Sequence, residues 1–158
     1  MDAERKAIKE MCLRLLARRE HSQKELLAKC RVKNFVKQTV LEVLAELAEQ
    51  GWQDDARFVE SYVRSRKQKG FGPLLIAQQV RLRVAAEHVT PLLDQDAEES
   101  WFELIMQVYK KKYPQDLMMT SALLSPQELA KRQRFLLQRG FPAELIRTLF
   151  AHLIHNKF

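Results

Sequence analysis

The chain has 158 residues and a net charge of +7, with a sequence pI near 9.6. Hydrophobic residues make up 46% of it, which suffices for a packed core and excludes wholesale disorder. The first residues are largely charged and no apolar run is long enough to cross a bilayer, so we expect a cytoplasmic protein without a signal peptide. The basic balance favours an acidic or polyanionic partner.

The composition also predicts the fold class. Helix-forming residues dominate, glycine and proline are few, and no stretch keeps the apolar–polar alternation of a strand, so we predict an all-α protein. Cys12 and Cys30 each fall in a helical apolar pattern without C-x-x-C spacing. We interpret them as buried free thiols.

In chain order, the first predicted unit contains three helices. A helix over about 4–19 precedes Ser22, which forms a capping box with Glu25 and begins the second helix. Asn34 suits a left-handed turn, and Phe35 leads into the third helix.

The second unit opens with a helix over about 54–70, for which Asp54 is the predicted N-cap. Four cations follow in its last part, although the helix dipole needs only one or two. We therefore predict a contact surface formed by Arg64, Arg66, Lys67 and Lys69. For Arg66 a structural role is equally open, because it falls inside the apolar arc of its helix and can pack past Phe58 and Tyr62 or meet a carboxylate. The glycine-rich turn that follows places Pro73 at the first position of the next helix.

The rest of the second unit adds further cations and one irregular turn. Arg81 and Arg83 alternate with apolar residues and join the candidate contact surface. Where the first unit has Asn34, the second has Val84, which tolerates positive φ poorly. We expect a different turn here, for example through a longer second helix, and Pro91 interrupts or begins the short third helix.

The third unit begins with a helix over about 97–112, and the long connection at about 113–125 is predicted to be a loop. Ser125 and Glu128 form a second capping box, and Gly140 makes the next turn. The helix between them supplies the remaining candidate contact residues, Arg132, Arg134 and Arg139.

Other prominent residues are given structural roles. The run Lys110-Lys111-Lys112 ends its helix, and we interpret it as compensation of the helix dipole. Trp52 and Trp101 lie at helix starts with apolar spacing, and we predict that both belong to the core.

The three units are versions of one repeat. Phe35, Ala85 and Phe141 occupy equivalent positions, which gives a period of about 50 residues. A unit of this size buries little apolar surface alone and must dock on its neighbours. We predict three tandem three-helix repeats, over residues 1–53, 54–95 and 96–158.

Three segments also carry a family resemblance. They are LLARREHSQKELLAKC (15–30), DDARFVESYVRSR followed by KGFGP (54–73), and RFLLQRGF (134–141). In this order and spacing they resemble the bacterial RecX family, regulators of the RecA recombinase, from about Leu13 to Phe150. The resemblance implies three tandem three-helix units in an elongated, curved body. It also implies a protein that lies in the groove of the RecA nucleoprotein filament and inhibits recombinase, ATPase and co-protease activities.

The sequence supplies no convergent catalytic set. His152 and His155 have helical spacing, but no further ligand accompanies them at metal-binding spacing. Asp54 and Asp55 are better explained as helix capping. G-x-S-x-G, phosphate-cradling and H-E-x-x-H motifs are absent from the sequence. We predict a binding protein, not an enzyme, with no cofactor and no metal.

We expect a monomer whose basic blocks contact acidic RecA surface, DNA phosphates, or both. The acidic stretch from Asp94 to Glu99 would interrupt a continuous DNA-tracking stripe and favours a protein partner. The alternative is a direct DNA-binding protein of helix-turn-helix or architectural type. It would use the helix over 126–139 to present Lys131, Arg132, Gln133, Arg134 and Gln138 to base edges. A third hypothesis is that the protein is a scaffold that stabilises some other assembly.

Overall fold

The computed structural model describes residues 2–88, 98–118 and 124–155. Within these ranges the chain forms helices and no β-strand, which confirms the all-α prediction. The α-helices are α1 (Asp2–Arg18), α2 (Gln23–Val32), α3 (Lys37–Glu49), α4 (Asp55–Gln68), α5 (Pro73–Arg81), α6 (Glu98–Lys112), α7 (Pro126–Gln138) and α8 (Ala143–His155). Two 3-10 segments cover Ala86–His88 and Pro114–Met118. None of the described helices is both long and apolar enough to span a membrane.

Both predicted capping boxes are confirmed. The Glu25 backbone N–H donates to Ser22 Oγ at 3.1 Å, and the Ser22 N–H donates to Glu25 Oε1 at 3.1 Å. Ser125 and Glu128 repeat the arrangement at the start of α7. Asp54 also caps α4 as predicted, since its Oδ1 accepts the Ala56 N–H at 2.8 Å. These short-range bonds fix where the helices begin.

The predictions for the turns between helices are confirmed in part. Asn34 has φ 59° and Gly140 has φ 98°, as predicted for left-handed turns. Among the described residues Asn34 is the only non-glycine residue with positive φ, so the turn at Val84 differs as expected. The prediction of a longer second helix is wrong, because α5 has 9 residues and α2 has 10. Pro91 lies outside the described residues.

The chain forms two compact units. Unit 1 comprises Met1–Val63 and Val80–Val89, and unit 2 comprises Arg64–Gln79 and Thr90–Phe158. The second predicted repeat is therefore divided, with residues 54–63 and 80–89 in unit 1 and the rest in unit 2. The repeat boundaries at residues 53 and 95 stay a prediction.

In unit 1, α1 and α2 both pack on α3. Ile8, Leu26 and Val43 are fully buried in this core. Cys12 and Cys30 lie beside them as free thiols with their sulfur atoms 4.0 Å apart, which confirms the prediction. Burial raises the pKa of the Cys12 thiol to about 12, so it stays protonated and unreactive.

Unit 1 also holds the junction between the first two repeats. The buried Gln53 side chain donates to the His21 carbonyl at 3.2 Å and to Asp55 Oδ1 at 2.8 Å. The same carboxylate oxygen accepts the Gln23 backbone N–H at 3.0 Å. The starts of α2 and α4 are thereby bonded to each other, which explains why the first part of α4 belongs to unit 1.

The two tryptophans differ in their outcomes. Trp101 is 7% exposed and belongs to the interior of unit 2, as predicted. Trp52 is 57% exposed, so the prediction that it belongs to the core is wrong. Its backbone is bonded in the turn after α3, where its N–H donates to the Leu47 carbonyl and its carbonyl accepts from Arg57. This turn directs the indole outward.

In unit 2, α6 and α7 both pack on α8. Ile105, Leu136 and Leu149 are fully buried there, and Tyr109 meets Phe150 edge-on. The predicted loop at 113–125 begins instead with the 3-10 segment Pro114–Met118, and residues 119–123 lie outside the described chain.

Candidate functional site

Two glycine turns of unit 2 lie directly against each other. The Gly72 N–H donates to the Arg139 carbonyl at 2.7 Å, and the Leu74 N–H donates to the Gly140 carbonyl at 3.0 Å. A Cβ atom on Gly72 would stand 2.6 Å from the carbonyl carbon and oxygen of Gly140. The approach of the two backbones therefore requires glycine at position 72.

Arg139 braces this contact. Its guanidinium donates to the Lys69 carbonyl at 3.0 Å and lies 5.4 Å from the centre of the Phe71 ring and 5.3 Å from that of Phe135. Arg66 also lies over Phe71, at 5.5 Å. Two candidate residues from distant parts of the sequence thus share one aromatic ring. Both are half-buried.

Beside these turns is a concave pocket of about 460 Å³, which we call the basic pocket. Five cations line it, contributed by α4 and its following turn, by α6 and by the end of α7: Lys67, Lys69, Lys111, Lys112 and Arg139. Among the described residues that line it, none is Asp or Glu. Its apolar wall comes from Leu104, Val108 and Phe135.

Aromatic rings orient several of these cations. Lys67 Nζ lies 4.3 Å from the centre of the Trp101 ring. Lys112 Nζ lies 5.4 Å from the centre of the Phe135 ring, which also carries Arg139. A cation is attracted to the negative face of such a ring but keeps its full charge. The pocket therefore remains strongly positive.

Four of the candidate contact residues lie exposed on the surface. Arg64, Lys69 and Arg134 belong to unit 2, and Arg81 belongs to unit 1. Exposed cations of this kind are available for contact with a partner.

Arg83 has contacts within unit 1 instead. Its guanidinium lies 4.9 Å from the centre of the Tyr62 ring, and its Nε is 3.7 Å from Glu25 Oε2. Glu25 is also the carboxylate of the first capping box. The side chain of Arg83 therefore contributes to the packing of unit 1.

Arg132 does not support the sequence-based prediction of a partner contact. The residue is 7% exposed, and its Nε and Nη2 donate to the two carboxylate oxygens of Asp116 at 2.6 and 3.2 Å. Nη1 donates to the Glu128 carbonyl, and the guanidinium lies 4.3 Å from the centre of the Tyr113 ring. A buried, bidentate pair of this kind fixes the 3-10 segment to α7, so Arg132 is an internal residue.

The ionisation of this network follows from its contacts. Burial alone would raise the pKa of Asp116, but hydrogen bonds from Arg132 and Tyr109 outweigh it and lower that pKa. Burial, followed by the hydrogen bond to Asp116, raises the pKa of Tyr109. The carboxylate is therefore charged and the phenol neutral at pH 7, as their hydrogen bond requires.

The structure also shows where sequence reasoning misses residues. The sequence pattern assigns Lys111 and Lys112 to the helix dipole, yet they line the basic pocket. A signal is present in the sequence, because three lysines in the last turn of α6 exceed what the helix dipole needs, as do the four cations at the end of α4 and in the turn after it. Their proximity to Lys69 and Arg139 depends on tertiary packing and is absent from the sequence pattern.

The histidine pair has no metal-binding surroundings in the part of the chain that the structure describes. His152 packs edge-on against Phe102, with ring centres 5.3 Å apart. No group of three potential metal ligands comes together among these residues.

The paired helices and repeated turns define a helical-repeat protein built of three-helix units. Three family models match it in order: the first RecX three-helix domain over residues 9–47, the second over 54–87 and the third over 98–150. The chain belongs to the RecX family of regulatory proteins.

Relatives agree with this family assignment, and a solved structure agrees with the fold. Regulatory protein RecX of Halorhodospira halophila is 36% identical over 145 residues, which cover 92% of this chain and 87% of that protein. Regulatory protein RecX of Legionella pneumophila is 35% identical over 142 residues, covering 89% and 91%. The crystal structure of RecX from Lactobacillus salivarius matches with a TM-score of 0.81 and 19% identity, covering 97% of this chain and 98% of that one. The last comparison supports the fold alone.

Proposed function

We propose that this protein binds the RecA nucleoprotein filament in the cytoplasm, as a monomer, and inhibits the recombinase, ATPase and co-protease activities of RecA. The observation that carries the proposal is the ordered match of all three RecX domains along the chain. The net charge of +7 supports it, because both the DNA and the acidic surfaces of a filament attract a basic protein.

The proposed contact surface consists of exposed cations. They are Arg64, Lys69 and Arg134 in unit 2 and Arg81 in unit 1. Several separate contacts of moderate strength give high total affinity when the bound partner is itself a repeating polymer. The other candidate cations, Arg66, Lys67, Arg83 and Arg139, are held by ring contacts, each within its own unit.

A charge-reversal variant tests the surface. In the triple variant Arg64→Glu, Lys69→Glu and Arg134→Glu, we expect loss of RecA strand-exchange inhibition with unchanged helicity. Exposed substitutions of this kind change the free energy of unfolding by only about 0.5 kcal/mol each. Lys67 is left intact because it packs on Trp101.

The matched control reverses three exposed cations of α1 and α3, namely Lys6→Glu, Arg14→Glu and Lys37→Glu. It changes the net charge equally but leaves the proposed surface intact. We expect it to inhibit strand exchange nearly as well as the parent. Equal inhibition by both triple variants would show that the contact surface lies elsewhere.

The alternative is direct DNA binding through α7, but one of the residues predicted to contact DNA is buried. Arg132 is bonded to Asp116, while Lys131, Arg134 and Gln138 stay exposed. Our proposal requires tighter binding to the RecA filament than to the same DNA without RecA. Equal affinity for the two, with RecA activity unaffected, would favour the alternative.

A further inference from the structure

The basic pocket of unit 2 has the properties of a ligand site. We infer that it binds a run of adjacent phosphate groups, supplied either by a nucleic-acid strand or by a free nucleoside polyphosphate. This inference goes beyond the proposed function, since phosphate binding requires no contact with RecA. It also includes Lys111 and Lys112, which the proposed RecA-contact surface does not use.

The first argument is the charge of the pocket. Within the described chain, no carboxylate lies within ion-pair distance of Lys69, Lys111 or Lys112, and Arg139 contacts only neutral groups there: a backbone carbonyl and two rings. These cations repel one another inside one concavity. A bound polyanion would convert that repulsion into attraction, and a concave site strengthens the effect by focusing the field.

The second argument is the kind of donor. An arginine guanidinium presents a planar fork that matches two phosphate oxygens, and lysine ammonium groups act as point charges that follow the ligand. Several cations around one small pocket match the charge density of linked phosphates. In an acidic peptide each carboxylate is carried on a separate side chain, and the charge is spread more widely.

The third argument is size and lining. A volume of about 460 Å³ falls within the range of roughly 300–1,000 Å³ that is typical of small-ligand sites. Leu104, Val108 and the half-buried Phe135 provide an apolar wall beside the cations. A nucleotide presents the same combination, because its phosphates are charged and its sugar and base have apolar faces.

The fourth argument is preorganisation. Arg139 is held by the Lys69 carbonyl and by two rings, so its guanidinium is placed before any ligand arrives. Gly70, at φ 85°, brings the backbone close enough that a Cβ there would stand 3.1 Å from Val108. A site that is already ordered loses less conformational freedom when it binds.

The test is a titration of the isotopically labelled full chain with inorganic tripolyphosphate, monitored by NMR shifts of the Gly70 and Val108 amides. We expect saturable shifts at both amides. The double variant Lys111→Gln and Lys112→Gln should bind about tenfold more weakly, because two charge-assisted contacts are lost. Arg139 is not substituted, since it also braces the two turns.

The matched control is Lys110→Gln and Lys131→Gln, which removes two exposed charges from α6 and α7 outside the pocket lining. This control should change the affinity for tripolyphosphate less than about twofold, because salt screens exposed charges that lie outside the pocket. Absence of saturable shifts, or equal weakening in both double variants, would overturn the inference.

Two further arms distinguish the source of the phosphates. Displacement of tripolyphosphate by ATP, without displacement by a thymidine oligonucleotide of about 15 residues, identifies a free nucleotide ligand. Displacement by the oligonucleotide identifies a strand, and the salt slope of oligonucleotide binding should then fall by about 1.4 in the pocket variant. If a poly-glutamate peptide binds as tightly as tripolyphosphate, the pocket is an acidic-peptide site and the phosphate inference is wrong. RecA is absent from all of these measurements. A negative result would therefore leave the proposed inhibition of RecA standing, and a failure to inhibit RecA would leave the phosphate site standing.

Discussion

Gly72 and Gly140 meet backbone to backbone, with no room for a side chain between them. A Cβ atom on Gly72 would lie 2.6 Å from the carbonyl carbon and oxygen of Gly140, and one on Gly140 would lie 2.4 Å from Leu75 Cβ. The hydrogen bonds on either side hold the turn after α4 against the turn after α7. This contact positions Lys69 and Arg139 at the basic pocket.

Substitution of Gly140 tests how much this contact contributes. Gly140→Ala should lower the free energy of unfolding by more than about 3 kcal/mol, because positive φ and the clash with Leu75 both oppose it. Gly51→Ala is the matched control, since Gly51 has φ 83° and a Cβ atom there would have nothing within 4 Å. It should cost about 1–2 kcal/mol. Equal losses in urea unfolding would contradict a tight contact between the turns.

The buried pair of Arg132 and Asp116 should behave differently from an exposed pair. Asp116→Ala should cost about 3–5 kcal/mol, because it leaves a buried guanidinium unpaired. In a double-mutant cycle with Arg132→Met, the second substitution should recover much of that loss.

The pair of Arg5 and Glu42 provides the comparison, with N–O at 3.2 Å but side chains 42% and 51% exposed. Its coupling energy should lie below about 1 kcal/mol. A coupling between Arg132 and Asp116 as small as this would contradict their assignment to the interior.

Acid should destabilise the protein through Asp116. Its pKa is lower in the folded state than in the unfolded state, so its stabilising contribution is complete above about pH 4 and is lost as the pH falls through the folded value. Asp116→Asn removes the titrating group. Below pH 4 the unfolding free energy of the parent should therefore fall more steeply than that of the variant. Parallel curves in acid would show that Asp116 ionisation is not linked to folding.

Binding to the RecA filament should depend on salt. The affinity of the parent should fall as salt is added, and the triple variant at Arg64, Lys69 and Arg134 should show a shallower dependence, because fewer ion contacts are left to be screened. Fluorescence anisotropy of the labelled protein at several salt concentrations measures both slopes. Identical slopes would remove these three cations from the proposed surface.

The features that sequence reasoning predicts correctly are those set by short-range chemistry. The capping boxes at Ser22 and Ser125 involve groups three residues apart, and Asn34 has the positive φ that asparagine adopts more readily than most residues. The helix starts and the repeat pattern follow from such local signals. They are visible without knowledge of the packing.

The errors have two causes, which are contacts with distant parts of the chain and the direction of a local turn. Arg132 looks like a surface cation in the sequence, because nothing there indicates that Asp116 folds back to meet it. Trp52 looks like a core residue, and the direction of its turn exposes it. The basic pocket joins lysines of α4 and α6, and only the tertiary structure brings them together.

The most direct test of the central claim is the ATPase activity of RecA on single-stranded DNA, measured with increasing amounts of this protein. We expect dose-dependent inhibition that is marked at stoichiometric amounts, retained in the Lys6, Arg14 and Lys37 control and lost in the Arg64, Lys69 and Arg134 variant. An unchanged ATPase rate at a stoichiometric or higher ratio, with the protein folded and the filament assembled, would contradict the proposal that it inhibits RecA.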